Sequence, residues 1–415
     1  MTKTYIQRIV DTAVERRLES VGAIVIEGPR GCGKTTTGAH HSATVTQVDS
    51  PGSLAAASID PRLLLGGNVP VLLDEWQAAP SVWNAVRREI DDRQAVGQFI
   101  LTGSARPLDD PTRHSGVGRF GRVVMRTMSL SESGLSNGTV KLADLFAGEP
   151  VAGRSAVGFE GYVEAIVRGG WPALIDASLD SAREFNRDYV ELLATDEVAS
   201  LDRSHRDPRR LRALLEAFAA FSAHPAPMSR VISRSVTPDD SVISRVTGDL
   251  YATALERLMV IDDVPAWSTH LRSRARLTEY PKRHLTDPAL ACALLRATPD
   301  SLISDLNTLG YLFESLVTRD LRVYADANDA DVFHYRERGG ELEVDLIVEQ
   351  RGGAWIGVEV KMGIGHVDEA AATLLRLANT RVTRPPSALI VVTTSEYAYT
   401  RPDGVSVVPL GTLTP

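Results

Sequence analysis

The chain has 415 residues, 43% hydrophobic and 24% charged, with a net charge of −8. That length exceeds one ordinary core and predicts roughly two to four domains of a soluble globular kind. The two cysteines, Cys32 and Cys292, exclude a disulfide framework, and neither has a partner at zinc-ligand spacing. The negative balance argues against non-specific nucleic-acid binding by the chain as a whole. No apolar run reaches the ~20 residues that span a bilayer, so no membrane partner is expected. Residues 1–20, MTKTYIQRIVDTAVERRLES, read as an amphipathic helix rather than a signal peptide, which predicts a cytoplasmic protein.

Residues 21–27, VGAIVIE, are a short β-branched run of the kind that forms a buried parallel strand. They lead into GPRGCGKTT, which fits the phosphate-loop pattern G-x-x-x-x-G-K-[ST] at Gly28, Gly33, Lys34 and Thr35. Glycines there let backbone N–H groups turn toward phosphates, so Gly28, Pro29, Arg30, Gly31, Cys32, Gly33, Lys34, Thr35 and Thr36 are the expected ATP contacts. Lys34 is expected on the β- and γ-phosphates and Thr35 on Mg²⁺. A second strand, 69–73, ends in Asp74-Glu75, where Asp74 would hold Mg²⁺ and Glu75 would polarise the attacking water.

A third strand, 98–104, brings Thr102 and Ser104 to the same sheet edge, where either would sense the γ-phosphate unless Gly103 simply builds a turn. Arg113, Arg119 and Arg122 follow. Arg119, flanked by Gly118 and Gly121, is the preferred transition-state arginine.

The order GPRGCGKTT, VLLDEWQ, FILTGSA, then GVGRF and MSLSE resembles a family of prokaryotic AAA-type ATPases that carry a C-terminal domain of unknown function. GGWPAL (169–174) and RSRARLTEYPKRHLTDPALACALL (272–295) extend the likeness over nearly the whole chain. By analogy with AAA-type ATPases, whose sites are completed between subunits, the resemblance implies a homo-oligomer.

In the middle, 159–168 and 181–199 read as helices of a connector around the break at Gly169–Pro172. Helical patterns follow at 211–221, 228–235 and 240–258. The last has Val242, Val246, Leu250, Leu255 and Leu258 as its expected apolar face. Two strand-like runs, 259–267 and 270–280, come next, and Arg272, Arg274 and Arg276 alternate onto one face of the second. Three helices and a wing predict a winged helix-turn-helix. Residues 203–284 hold 14 Lys and Arg against 9 Asp and Glu, which suits a DNA backbone, with Ser241, Ser244, Arg245 and Asp249 nearest a groove. The alternative is a winged helix that packs only against protein.

Residues 302–325 read as a long helix with Glu314 beside its apolar stripe, followed by strands at 332–338, 341–350 and 354–363, a helix at 366–379 and a strand at 387–394. Asp345, and Glu359-x-Lys361 fourteen positions on, resemble the PD-(D/E)xK nuclease superfamily, although Glu343-Val344 stands where the signature proline would be. The resemblance implies metal ligation by Asp345, Glu359 and Glu314 and charge stabilisation by Lys361. The alternative is a degenerate nuclease fold kept for binding.

The expected fold is α/β throughout. It comprises an AAA-type P-loop ATPase domain (1–135), a helical connector (136–205), a winged helix (206–298) and a restriction-endonuclease-like α/β domain (299–415). Two functions follow. One is a MgATP-driven protein that acts on DNA and cleaves it with Mg²⁺; the other is a nucleotide-gated scaffold that binds DNA or a partner protein without cutting.

Overall fold

A computed structural model describes residues 5–103, 115–197 (196 and 197 by backbone alone), 207–268, 279–337 and 339–415. Ser104, Arg113 and the wing arginines Arg272, Arg274 and Arg276 lie outside the described residues. The chain divides into two compact units, 1–127 with 257–259, and 128–256 with 260–415.

The first unit is built on five parallel strands: β1 (Ala23–Glu27), β2 (Thr44–Gln47), β3 (Val71–Asp74), β4 (Phe99–Gly103) and β5 (Phe120–Val124). Their order is β2-β3-β4-β1-β5. The inner strands β3 and β4 are buried throughout, as is β1 up to its final Glu27, so their sequences are continuous apolar runs. β2, at the edge, alternates half-buried and exposed residues and carries Thr and Gln, which is why its sequence gave little strand signal. Helices α1 (Asp11–Leu18), α2 (Lys34–His40), α3 (Pro51–Ile59) and α4 (Ser81–Arg93) complete the unit. Among the described residues the N-terminal helix spans only Asp11–Leu18, and the Asp11 carboxylate accepts the Arg8 amide at 2.8 Å in the turn that precedes it.

The second unit carries a seven-stranded sheet and a two-stranded ribbon. Its strands are β6 (Val140–Lys141), β7 (Ala152–Arg154), β8 (Ala330–Arg336), β9 (Glu343–Gln350), β10 (Trp355–Lys361), β11 (Ala388–Thr393), β12 (Tyr397–Thr400), β13 (Ser406–Pro409) and β14 (Leu413–Thr414). The sheet order is β7-β12-β13-β11-β10-β9-β8, and β14 pairs with β6. β8, β9 and β10 are antiparallel, whereas β11 runs parallel to β10. The long helix Leu306–Ala327 buries Leu309, Phe313, Leu316 and Leu321. Helix Val367–Thr380 places Leu374 and Leu377 in a core with Trp355, Val391 and Val407.

In chain order before the long helix come helices Phe159–Arg168, Leu179–Leu192, Pro208–Ala220, Met228–Ser233 and Arg245–Arg257. Antiparallel bridges then join Ile261 to Leu285, Val264 to Lys282 and Pro225 to Lys282. The same segment reaches the β8 edge of the sheet, where Trp267 N donates to His334 O at 2.6 Å and His334 N to Pro265 O at 3.0 Å.

The expected apolar face of 240–258 needs correction. Leu255 and Leu258 are buried, but Val242, Val246 and Leu250 are 57%, 72% and 56% exposed. The helix begins only at Arg245 and buries Gly248, Tyr251 and Ala252 instead. Gly248 sets this face: a Cβ there would lie 2.5 Å from Ile232 Cγ1, so the helix approaches its neighbour along the side that has no side chain.

Candidate functional site

β1 ends where the phosphate loop begins. Gly31 and Gly33 hold φ of 78° and 106°, a region that side chains disfavour. A Cβ on Gly28 would lie 2.1 Å from the Met125 carbonyl oxygen, so only glycine fits. Lys34 is buried, and its Nζ donates to the carbonyls of Gly28 and Pro29, each at 2.9 Å. Arg30 and Thr36 are exposed, and Cys32 is fully buried with its thiol facing Met125 O at 3.6 Å.

Register explains how the rest assemble. Thr102 stands level with Ile26 on one side and Asp74 on the other. β4 thus places a hydroxyl between the loop strand and the acidic strand. Asp74 Oδ1 accepts from Thr35 Oγ1 at 2.8 Å and from Thr102 Oγ1 at 2.6 Å. The fold brings Lys34, Thr35, Asp74 and Thr102 to one sheet edge. Glu75 follows in a left-handed conformation (φ 52°) and accepts from the Gln77 side-chain amide. The other Gln77 atom, Oε1, is buried without a hydrogen-bond partner. A hydroxyl and a carboxylate beside a phosphate loop suit Mg²⁺, which binds one or two protein oxygens plus substrate phosphates rather than a full protein cage.

Arg119 is not part of this group. It precedes β5, so it stands at the amino edge of the sheet, where its carbonyl accepts the Ala23 amide and its Nε pairs with Asp91 at 2.9 Å. The loop lies at the other end of the parallel strands. Arg122 pairs with Glu27 at 3.0 Å.

Sequence patterns gave no sign of the N-terminal latch on the loop. Arg8 is buried and donates to Cys32 O at 2.7 Å and Arg126 O at 2.9 Å. Asp11 accepts Tyr5 Oη at 2.6 Å and lies 3.1 Å from His41 Nε2. Burial pushes the Asp11 carboxyl up, but the bonds from His41, Tyr5 and the Arg8 amide outweigh it and hold the group below its usual range.

A second cluster lies wholly in the other unit. The β9–β10 ladder ends at Val358↔Leu346. One step on, Asp345 Oδ2 takes the Val360 amide at 2.9 Å, and the strands fork. Glu359 and Lys361 share a face of β10, and Lys361 Nζ contacts Glu359 Oε2 at 2.6 Å and Asp345 Oδ2 at 3.4 Å. Glu314 comes in from the long helix. The fold therefore gathers all four residues that the nuclease resemblance singled out, and adds one that it did not. Lys282 Nζ lies 2.5 Å from Glu314 Oε1, 3.2 Å from Asp345 Oδ1 and 3.3 Å from Asp345 O.

Burial pushes the Glu314 carboxyl up to about 8, only partly countered by Lys282, and burial together with the Asp345 charge pushes Glu359 up as well. At Asp345 the two lysines outweigh burial and hold the carboxyl down. Lys282 loses solvation, yet Glu314 and Asp345 hold its proton more firmly than water does. Burial and the Lys282 charge push the nearby His284 and His334 imidazoles down, the latter to about 4. Among the described residues, no three His, Cys, Asp or Glu side chains are arranged to hold a metal ion. Each carboxylate of this cluster faces an ammonium instead.

Residues 20–134 match the family model of an AAA domain. Residues 159–301 and 309–413 match two domains of unknown function, DUF8612 and DUF4143. Among solved structures, the Walker-type ATPase of Pyrococcus abyssi is similar at 14% identity and a TM-score of 0.42, over 71% of this chain and 97% of that one. No curated protein matches the sequence. No helix among the described residues is long and apolar enough to cross a membrane. The segment 20–134 is P-loop ATPase-like and similar to an AAA domain, within a mixed α/β chain.

Proposed function

We propose that the chain binds MgATP on the first unit and hydrolyses it. The observation that carries this reading is the convergence of the Thr35 and Thr102 hydroxyls on Asp74 Oδ1, directly beside the phosphate loop. With nucleotide bound, Lys34 exchanges the Gly28 and Pro29 carbonyls for phosphate oxygens. Thr35 and Asp74 would hold Mg²⁺, which would neutralise charge on the β- and γ-phosphates. Glu75 orients the attacking water, and Thr102 reports the γ-phosphate to Asp74. Arg119, paired with Asp91 at the opposite edge, has no route to the nucleotide of its own subunit, so it could act as a transition-state arginine only on a neighbouring copy in a homo-oligomer. Steady-state phosphate release tests the reading. Glu75→Gln should retain ATP binding and lose turnover, Lys34→Ala should lose both, and unchanged turnover in Glu75→Gln would sink the assignment.

For the second unit, three helices followed by a bridged pair support a winged helix within 206–298 after a connector in 136–205. The helix–three-strand–helix–strand order supports a restriction-endonuclease-like domain in 299–415. Between DNA cleavage and a nucleotide-gated scaffold for DNA or a protein, the Lys282 contacts favour the scaffold, because the carboxylates that would bind metal already hold ammonium groups. Incubation with Mg²⁺ and a DNA panel, with and without ATP, separates the two. The scaffold reading expects ATP-sensitive gel shifts and intact DNA; cleavage that disappears in Asp345→Ala would overturn it.

A further inference from the structure

Lys282 lies in neither strand of the nuclease-like signature, yet its ammonium sits in the middle of that signature's carboxylates. Three N–H donors meet three oxygens: Glu314 Oε1, Asp345 Oδ1 and the Asp345 carbonyl. The side chain is 1% exposed. A small divalent cation would draw on the same oxygens at about 2.0–2.6 Å, so the ammonium and the ion exclude one another. Lys361 guards the other side of Asp345 and holds Glu359. With all groups ionised, four carboxylates, Glu343 among them at 4.0 Å from Lys282 Nζ, face two ammonium groups, so a dication would have to enter beside two positive charges that already hold these oxygens.

The backbone keeps Lys282 in place. Lys282 N donates to Val264 O and Val264 N to Lys282 O, both at 2.9 Å, and a further bridge joins Lys282 to Pro225. Withdrawal of the ammonium would break that ladder or leave a buried charge unpaired.

We propose that Lys282 is the resident cation of this cluster. It fills the seat that a divalent ion takes in a metal-dependent nuclease, and it makes the cluster a fastening point between the bridged residues Val264 and Lys282 and the β9–β10 fork. The inference goes beyond the ATPase reading, which concerns the other unit, and deepens the scaffold reading by naming the group that excludes the metal.

Mn²⁺ binding, counted by electron paramagnetic resonance on the full chain, tests it. Asp74→Asn is present in every sample to remove the phosphate-loop site. With Lys282 intact, we expect no bound Mn²⁺ that Asp345→Asn abolishes. Lys282→Met should gain one site, at least tenfold tighter than any in its parent, and lose it when Asp345→Asn is added. Lys282→Gln, a polar replacement, gives a second reading by thermal melting, with Mn²⁺ expected to raise its midpoint and leave its parent unmoved. An Asp345-dependent Mn²⁺ site with Lys282 present would overturn the proposal. So would folded Lys282→Met and Lys282→Gln proteins that gain neither Mn²⁺ binding nor Mn²⁺-dependent stability. Loss of ATP hydrolysis in wild type, with this Mn²⁺ pattern intact, would count against the ATPase reading alone. DNA cleavage by wild type, with the same pattern, would count against the scaffold reading alone.

Discussion

One carboxylate oxygen, Asp74 Oδ1, receives two hydroxyls from different elements, and the two bonds differ in what they can report. Thr35 belongs to the loop itself, whereas Thr102 belongs to the strand between the loop and Asp74. Thr102→Val keeps the shape and removes a hydrogen bond to a charged group, worth about 1.5–3 kcal/mol. We expect kcat to fall by roughly ten- to a hundredfold with KM little changed, read from steady-state kinetics; a change in KM alone would assign Thr102 to ground-state binding. In the other unit, Glu314 stands near 8 in the folded chain against 4.5 as a free carboxyl. The folded state therefore keeps a proton that the unfolded state releases. Stability from this group is full below about pH 4.5, is lost as pH rises toward 8, and then levels, with a limiting slope of about 1.4 kcal/mol per pH unit. Asp263, raised to about 6, acts with the same sign, whereas Asp345, held low, acts only in more acid solution. Urea midpoints between pH 5 and 9 should fall with pH in wild type and fall less steeply in Glu314→Gln, where the raised Glu359 and Asp263 still contribute; parallel curves would refute the protonated carboxyl.

At the scale of elements, the turn Gly169–Trp171 joins parts far apart in sequence. Gly170 N donates to Asp287 Oδ2 at 2.9 Å, and Gly170 O accepts the Met128 amide at 2.6 Å. A Cβ there would meet Met128 O at 2.2 Å and Arg319 Nη1 at 2.9 Å. Arg319 is itself buried between Asp287 and Asp320. Gly170→Ala should therefore cost about 1–3 kcal/mol, the usual range for overpacking, seen as a lower denaturant midpoint. Val246→Lys, on the outward stripe of helix Arg245–Arg257, should stay within about 0.5 kcal/mol of wild type. A large loss would mean that the stripe is packed after all. These elements mark how far the sequence could be read. The phosphate loop and Asp74 were legible because a strand, a turn and a helix start carry their signal within a few residues. The stripe was misread because periodicity finds a face without saying which of two faces packs, and a glycine decided it. Arg8 and Lys282 were illegible for a different reason. Arg8 reaches Cys32 across 24 positions, and Lys282 reaches Glu314 across 32 and Asp345 across 63, so neither has a local pattern.

For the whole molecule, two units predict two unfolding events, of which only one responds to nucleotide. MgATP at a hundred times its Kd stabilises the unit that binds it by about 2.7 kcal/mol. Scanning calorimetry should show one transition that rises with MgATP and one that does not, and Lys34→Ala should remove the rise. A single transition that moves as a whole would show that the units melt together.

The pairing of β7 with β12 also sets an order of events during synthesis. Arg154 and Glu396, which meet across that edge, are 242 residues apart. At about 5–20 residues per second, β7 waits roughly 10–50 s on the ribosome before its partner exists. For that interval the short β7 edge, Ala152–Arg154, stands without its pairing strand. A holding chaperone that covers this interval should therefore raise the soluble yield, and slower translation, which lengthens the interval, should lower it when the chaperone is absent.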